Sequence, residues 1–359
     1  LATQIGVPRE IKPLEGRVAL IPEACAQLVA QGHQVHVEKN AGLASGYADA
    51  AYEAVGVQIQ PDAASLYAAA RLIVKVKEPI EAEWPLLRRE HLLFCFLHLA
   101  AEPRLAQALC DIGLTAIAFE TVQEGSQLPL LAPMSEIAGR IAIQIGGHLL
   151  HAPAGGTGLL LGGIAGTERG EVVVIGCGNA GMAAADLAAR MGARVTAFDL
   201  NRERLAAAQA LGANVTGLYP YPQALAQAVQ RADLVIGAVL ITGARAPHVV
   251  SAQMVSAMRS GSVIVDVSVD QGGCVETTQP RTYADPTYVV DGVTHFTVTN
   301  MPGAVPVTAT RAICAAIMPY VLRLAEDGWE RHASLHQAVN IHNGENLLAA
   351  RLRGQPFDQ

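Results

Sequence analysis

The chain has 359 residues and a formal net charge of -7, with 51% hydrophobic and only 16% charged residues. That length and apolar fraction suit two domains with real cores. The acidic balance, with no cluster of Lys or Arg, argues against nucleic acid or an anionic membrane surface as partner.

QIGVPRE at the N-terminal end reads as a strand, PEACAQLVAQG as a helix ending at Gly32, and QVHVEKN as a second strand. Further strands are expected at RLIVKVKE, HLLFCFLHL and TAIAFE, with helical stretches between them. Such βα alternation, in a chain poor in aromatics and rich in Ala and Gly, predicts a parallel sheet. One strand is odd. Leu72 to Val76 reads as a buried strand, yet Lys75 and Lys77 interrupt it two residues apart and so on one face.

Between Met134 and Leu150, MSEIAGRIAIQIGGHLL carries a helical period, with Ser135 placed to cap it. A Gly-rich connection, APAGGTGLLLGGIAG, leads to a second βα series at EVVVIGCGNAG, RVTAFDL, ADLVIGAV, SVIVDVSVD and HFTVTNMPG. After Pro306, TATRAICAAIMPYVLRLAEDG predicts a long helix interrupted near Pro319, returning to pack on the first domain. The polar tail holds His332, His336 and His342 at no metal-ligand spacing and reads as a solvated helix-and-loop region, so no metal is expected.

No apolar run approaches the ~18 residues a membrane span needs. The opening LATQIGVPREIK has no charged leader, so no signal peptide is expected. Cys25, Cys95, Cys110, Cys177, Cys274 and Cys314 are spread without a CxxC pair, which points to a reduced, cytoplasmic chain.

The most informative run is VVVIGCGNAGMAAADLAARMGARVTAFD. A strand leads into Gly176, Gly178 and Gly181 in a G-x-G-x-x-G pattern, a helix follows, and a second strand ends in Asp199. Gly176 permits the tight turn, Gly178 lets the backbone approach a pyrophosphate, and Gly181 lets helix and strand pack closely. The helix N-terminus offers free N–H groups to that pyrophosphate. Asp199 would accept the ribose hydroxyls and repel a 2′-phosphate, favouring NAD over NADP, although Arg202 and Arg204 nearby could favour the phosphate.

A nicotinamide cofactor moves hydride, so the chain must supply proton donors and a grip on the substrate, outside the carboxyl ends of its strands. Lys77 ends LIVKVK, His98 ends LLFCFLH, Asp270 follows VIVDVSV, and Arg17 lies in the turn after the first strand. A lone lysine at a strand end usually does no more than solvate it, and Asp270 in VDQGG fits an ordinary turn. Their shared placement at strand ends, in a chain with a dinucleotide motif, is what points to chemistry.

Assembled, these residues resemble alanine dehydrogenase, a family related to the NAD-binding subunit of proton-translocating transhydrogenase. The resemblance runs from about Ile5 to Ala333 and is carried by GVPREIK…EGRVALIP, KVKEP, FLHLA, LLAPMSEIAGR, VVVIGCGNAG, RADLVIGAVLITGARAP, VDVSVDQGGC and TNMPGAVP. It implies an α/β protein of two Rossmann-like, doubly wound parallel-sheet domains, the first discontinuous in sequence. Residues 1–130 plus 307–359 would hold the substrate and 131–306 the NAD. The implied activity is the interconversion of L-alanine with pyruvate and ammonium, in a homo-hexamer. By motif, Arg17 and Lys77 would hold the substrate, His98 would be the general acid/base and Asp270 a second catalytic acid that also meets the cofactor. Ser135, Gly176, Gly178, Asn179, Gly181, Asp199, Arg204, Val239, Leu240, Asn300 and Met301 would contact NAD. Lys75 is left without chemistry and is expected to pair with Glu78 or with a carboxylate from another element. Gln279 stands before Pro280, with Arg281 after it, where related sequences often carry arginine. The rival readings are a hydride-relay subunit of transhydrogenase, an enzyme joining an amino acid to a keto acid, and an inactive NAD-binding protein.

Overall fold

The computed structural model describes residues 2–241 and 246–354. The TGAR segment within RADLVIGAVLITGARAP, and the end of the polar tail, lie outside the described residues. The chain divides into two compact units, Leu1–Met134 with Gly303–Gln359, and Ser135–Pro302.

In the first unit the short apolar runs give β1 (Gln4–Val7), β2 (Gln34–Glu38) and β3 (Gln58–Gln60), followed by β4 (Leu72–Val74), β5 (Leu92–Cys95) and β6 (Thr115–Ala118). The helices between them are α1 (Pro22–Ala30), α2 (Asp49–Glu53), α3 (Ala63–Ala69) and α4 (Pro103–Ile112). The chain passes from the first unit into the second along α5 (Ala132–Leu149).

The second unit holds β7 (Glu171–Ile175), α6 (Asn179–Arg190), β8 (Arg194–Phe198), α7 (Arg202–Gln209), β9 (Val215–Leu218) and α8 (Pro222–Arg231). It continues with β10 (Leu234–Gly237), α9 (Ala252–Ser256), β11 (Val263–Asp266), β12 (Thr287–Val290) and β13 (Val293–Phe296). The chain then returns to the first unit through α10 (Pro306–Ala325), α11 (Ala333–Gln337), β14 (Val339–His342), β15 (Glu345–Asn346) and α12 (Leu347–Gly354).

Among the described residues the first sheet runs β15-β14-β6-β5-β4-β1-β2-β3 and the second β12-β13-β11-β10-β7-β8-β9. Each contains the doubly wound order in which the winding reverses beside the first strand, at β1/β4 and at β7/β10. The pairings from β1 to β6 are all parallel, while β14, β15 and β12 add antiparallel edges. β14 corrects the expectation of a solvated helix-and-loop tail. Val339 and Ile341 pair with Ile117 and Ala116, and the buried Asn340 accepts a hydrogen bond from Thr121 Oγ1 at 3.1 Å.

Two further expectations fail for local reasons. Ser135 does not cap α5, because the helix already begins at Ala132 and places Ser135 inside its first turn. Pro319 does not interrupt α10, which runs unbroken from Pro306 to Ala325. Pro319 removes the N–H that would bond the carbonyl of Ala315, but both residues are exposed and water can serve that carbonyl. The opposite face of α10, including Ile313, Cys314, Ile317, Val321 and Leu324, is buried. α10 is also long and apolar enough to cross a membrane by length and composition, contrary to the reading that no run approaches that length. Half of that stretch is buried inside the structure.

Lys75, the charge that looked out of place, lies at the β4 end and is wholly buried. Its ammonium sits 2.9 Å from Glu83 Oε1 and 3.3 Å from Glu10 Oε2, so its partners are these two and not Glu78. Glu10 Oε1 accepts the N–H groups of Val76 at 2.6 Å and Lys77 at 3.2 Å. Glu83 accepts the Ile80 N–H at 2.9 Å and the Tyr67 hydroxyl at 3.0 Å. Burial alone would lower the Lys75 pKa, but Glu10 and Glu83 more than offset it and hold the ammonium protonated. Burial also raises the Glu10 pKa, against the pull of Lys75. Lys75→Met would leave two carboxylates buried without their counter-ion, an expected loss of about 3–5 kcal/mol. Urea unfolding reads this as a lower midpoint, and a variant matching the parent midpoint would refute the bracing role.

Candidate active site

In the first unit, Arg17 follows β1 on a loop seated against α10. The Val18 N–H donates to Thr310 Oγ1 at 3.0 Å, and Ser45 Oγ lies 2.7 Å from the same hydroxyl. Arg17 is buried, and Glu15 grips it on two nitrogens: Nε to Oε1 at 2.7 Å and Nη2 to Oε2 at 2.5 Å. Its third nitrogen, Nη1, approaches Met134 Sδ at 3.3 Å. A guanidinium held along one edge keeps a fixed plane, which is what recognition of a small carboxylate needs. A cavity of about 330 Å³ opens beside Arg17 and Glu15, bordered also by Arg9, Glu10 and Asn40.

Lys77, two residues past Lys75, has a side chain 13% exposed and lies 3.4 Å from Glu78. Lys12 pairs with the other oxygen of Glu78. Burial pushes the Glu78 carboxyl up, but Lys77 and Lys12, with a smaller pull from His98, bring it down to about 2. Glu78 therefore stays ionised and ties Lys77 and Lys12 together. His98 follows β5 in a left-handed backbone conformation, φ 50°. Its ring stacks on Phe96, with centroids 5.7 Å apart and planes 2° apart. The Glu120 carboxylate accepts its backbone N–H at 2.6 Å.

In the second unit, the loop after β7 shows the tight turn read at Gly176 and the close packing read at Gly181. Gly176 has φ 91°, and a Cβ there would lie 2.5 Å from the Ala238 carbonyl. A Cβ on Gly181 would stand 1.7 Å from the Gly176 carbonyl. A Cβ on Gly178 would meet nothing within 4 Å. Gly178 is also the N-cap of α6 and has no side chain to cap it. The result is an open cradle over a helix N-terminus, which fits a diphosphate. Asn179 opens α6 and is exposed.

Asp199 stands at the tip of β8 with its side chain 8% exposed, and it accepts the Cys177 N–H and the Asn201 N–H, both at 2.7 Å. Arg204 approaches it to 3.8 Å. The Asp199 carboxylate thus holds the glycine loop from the tip of β8. Glu38 at the tip of β2 does the same in the first unit, accepting the Arg9 N–H at 2.9 Å. Arg9 and Cys177 each lie two residues beyond their strand.

Asp270 is exposed on a 3-10 turn, Val267–Gln271, and its Oδ2 accepts the Asn300 N–H at 3.5 Å. Asn300 is itself left-handed, φ 59°. That turn is anchored by the buried Asp266, which accepts N–H groups from Ser268, Cys274 and Val275 and the Thr278 hydroxyl. Met301 is buried, its carbonyl taking the Tyr283 hydroxyl at 2.9 Å. Val239 packs partly into the core beside β10, while Leu240 is exposed. Arg281, which follows the departure at Gln279, pairs with Asp285 at 2.9 Å and stacks over Tyr288. Among the described residues no group of three or more His, Cys, Asp or Glu is set to hold a metal ion, and all six cysteines are free.

Sequence reasoning missed five residues that shape these sites: Glu10, Glu15, Glu120, Asp266 and Gly139. A Cβ at Gly139 would lie 2.0 Å from the Ala180 carbonyl, so this glycine lets α5 touch the start of α6. Ser135, one turn earlier on α5, shares its face. Glu15 could have been found, since an acid two residues before a buried arginine is a ready partner. Glu10 and Glu120 could not, because their targets are far along the chain.

Comparison with known proteins agrees with this architecture. The family model described as alanine dehydrogenase/PNT, N-terminal domain, matches residues 6–138, and the corresponding C-terminal domain matches residues 142–348. The chain is 49% identical to an alanine dehydrogenase of Bacillus subtilis, over 99% of this chain and 95% of that one. A solved L-alanine dehydrogenase superposes with a TM-score of 0.93 at 46% identity, covering 98% of each chain. A transhydrogenase from Sinorhizobium meliloti superposes with a TM-score of 0.83 at 25% identity, covering 96% of this chain and 98% of that one. With both domain models matched in order along nearly its whole length, the chain belongs to the alanine dehydrogenase/PNT family.

Proposed function

We propose that the chain catalyses the reversible oxidative deamination of L-alanine to pyruvate and ammonium, with NAD as hydride acceptor. The observation that carries this reading is that Arg17, Lys77 and His98 each follow a strand of one parallel sheet at its carboxyl end, with Glu15 and Glu78 paired to the first two and Glu120 accepting the His98 backbone N–H. Full-length similarity to alanine dehydrogenases supports it. The transhydrogenase relay reading is weaker, because the more distant structural likeness lies on that side. Cytoplasmic location and a homo-hexamer belong to the same proposal, as does the division into a first-unit substrate domain and a second-unit NAD domain.

Arg17, its plane set by Glu15, would hold the substrate carboxylate, and Lys77 would polarise the keto oxygen of pyruvate. NAD held at the cradle would supply the hydride acceptor, and the alanine ammonium would first give a proton to solvent so that loss of hydride from Cα leaves the iminium. His98 would then remove a proton from the water that attacks the resulting iminium carbon, and return it to the departing ammonia. In the reverse direction the same imidazole would protonate the carbinolamine hydroxyl so that water leaves. Asp270 is the second proposed acid. The backbone at Gly178 and the first turn of α6 would hold the diphosphate, Asp199 the ribose, and Ser135, Asn179, Arg204, Val239, Leu240, Asn300 and Met301 would complete the cofactor contacts.

The direct test is NADH formation from NAD and L-alanine, with D-alanine, L-serine and NADP as controls. Turnover confined to L-alanine and NAD supports the proposal; tight NADH binding with no amino acid oxidised would favour the relay subunit. His98→Ala is expected to lower kcat by about 10²–10⁴-fold while leaving NADH affinity within twofold. Gly178→Val should weaken NADH binding by about tenfold or more with little change in Tm, since its Cβ meets nothing within 4 Å and the side chain enters the cradle. Gly181→Val should instead destabilise the fold, because its Cβ overlaps the Gly176 carbonyl. Equal effects of the two valines on NADH affinity and Tm would sink the assignment of the cradle.

A further inference from the structure

Glu120 stands two residues beyond the end of β6, on the 3-10 turn Phe119–Thr121. The β5–β6 ladder stops at the pair Cys95 and Ala118. Past that point the N–H groups of the residues that follow β5 need new acceptors, and for Leu97 and His98 Glu120 supplies them. Its carboxylate oxygens lie 3.2 and 3.3 Å from the Leu97 N–H nitrogen, and Oε1 takes the His98 N–H at 2.6 Å. One side chain thus stands in for the missing strand and turns the chain out of the sheet. His98 takes its left-handed conformation at that turn.

The same oxygen, Oε1, lies 4.0 Å from His98 Nδ1. Phe96 fixes the ring plane from one face, and the imidazole remains 38% exposed. Among the described residues Glu120 pairs with no Lys or Arg, so its charge is directed at His98. Nδ1 is thus the ring nitrogen that faces the carboxylate, at ion-pair distance.

We propose that Glu120 is a positioning residue for His98: it fixes the backbone turn and takes the Nδ1–H, so that Nε2 is the nitrogen presented to substrate. This rests on the alanine dehydrogenase reading. When Nε2 accepts the proton of the attacking water, the ring becomes an imidazolium and the Glu120 carboxylate faces the new charge; when Nε2 gives the proton to the leaving ammonia, the ring returns to neutral. Glu120 keeps no proton at the end of the cycle.

The full-length enzyme tests this with Glu120→Gln, Glu120→Ala, His98→Ala and the double variant His98→Ala/Glu120→Gln. Gln retains a carbonyl oxygen for the two backbone N–H groups but lacks the charge, whereas Ala loses both functions. The expected result for Glu120→Gln is a fall in kcat of about tenfold or more, with the KM for L-alanine, NADH affinity and Tm within error of the parent. Glu120→Ala should fall further and lose Tm. The double variant should be no slower than His98→Ala alone, since Glu120 acts only through that ring.

Parental kcat in Glu120→Gln would overturn the inference. So would a loss confined to KM or NADH affinity, or a double variant whose defects multiply. A parent that oxidises no alanine, or a His98→Ala enzyme at full rate, would instead sink the underlying reading and this inference with it. A dead His98→Ala beside a fully active Glu120→Gln rejects the inference alone.

Discussion

The buried ammonium of Lys75 is the constraint from which the first unit's site is built. Two carboxylates converge on it from different segments: Glu10 from the loop after β1, and Glu83 from the turn after β4. Neither is only a counter-ion. Glu10 also holds the backbone of Val76 and Lys77, and Glu83 holds that of Ile80. One ion group therefore sets where β4 ends, where Lys77 begins, and how the Arg17 loop leaves β1. Such a group need not add net stability, because well-packed apolar residues can replace a buried ion cluster at no cost. Its value here is directional, since an apolar cluster would accept no backbone N–H.

The two units apply one topology to different ends. In both, an acid at the tip of the second strand accepts the N–H two residues past the first strand: Glu38 with Arg9, Asp199 with Cys177. What differs is the residues so held. Gly176-Cys177-Gly178 leaves an open space above a helix end, which suits a diphosphate. Pro8-Arg9-Glu10 fills the corresponding place with side chains, and charged groups converge there instead. The same crevice at the reversal of strand order is thus emptied in one unit and furnished in the other.

How far this could be read from the chain depended on how local each cause is. The glycine loop was legible because turn, cradle and close packing all lie within six residues. Lys77 and His98 were legible as strand-end residues. Their supports were not, since Glu10 bonds Val76 across 66 positions and Glu120 bonds His98 across 22. Pro319 misled because its cost depends on exposure, and exposure is set by the whole of α10. Ser135 misled because the helix begins earlier, at Ala132. The tail looked merely polar because the strand it hides, Val339–His342, buries only Val339, Asn340 and Ile341, too short a stretch to announce itself.

The seat of the Arg17 loop on Thr310 of α10 also dictates an order of events during synthesis. Residues 135–302 form a continuous unit and can fold as soon as they clear the ribosome, as domains generally do. The first unit is begun earlier yet cannot be completed until α10 arrives, after the whole of the second unit has been made. At about 5–20 residues per second, the wait from Arg17 to Thr310 is some tens of seconds. Through that interval the nascent β1–β6 sheet lacks the helix that covers it, and the guanidinium loop lacks its seat. A helix translated almost three hundred residues later sets the first residue of the proposed site.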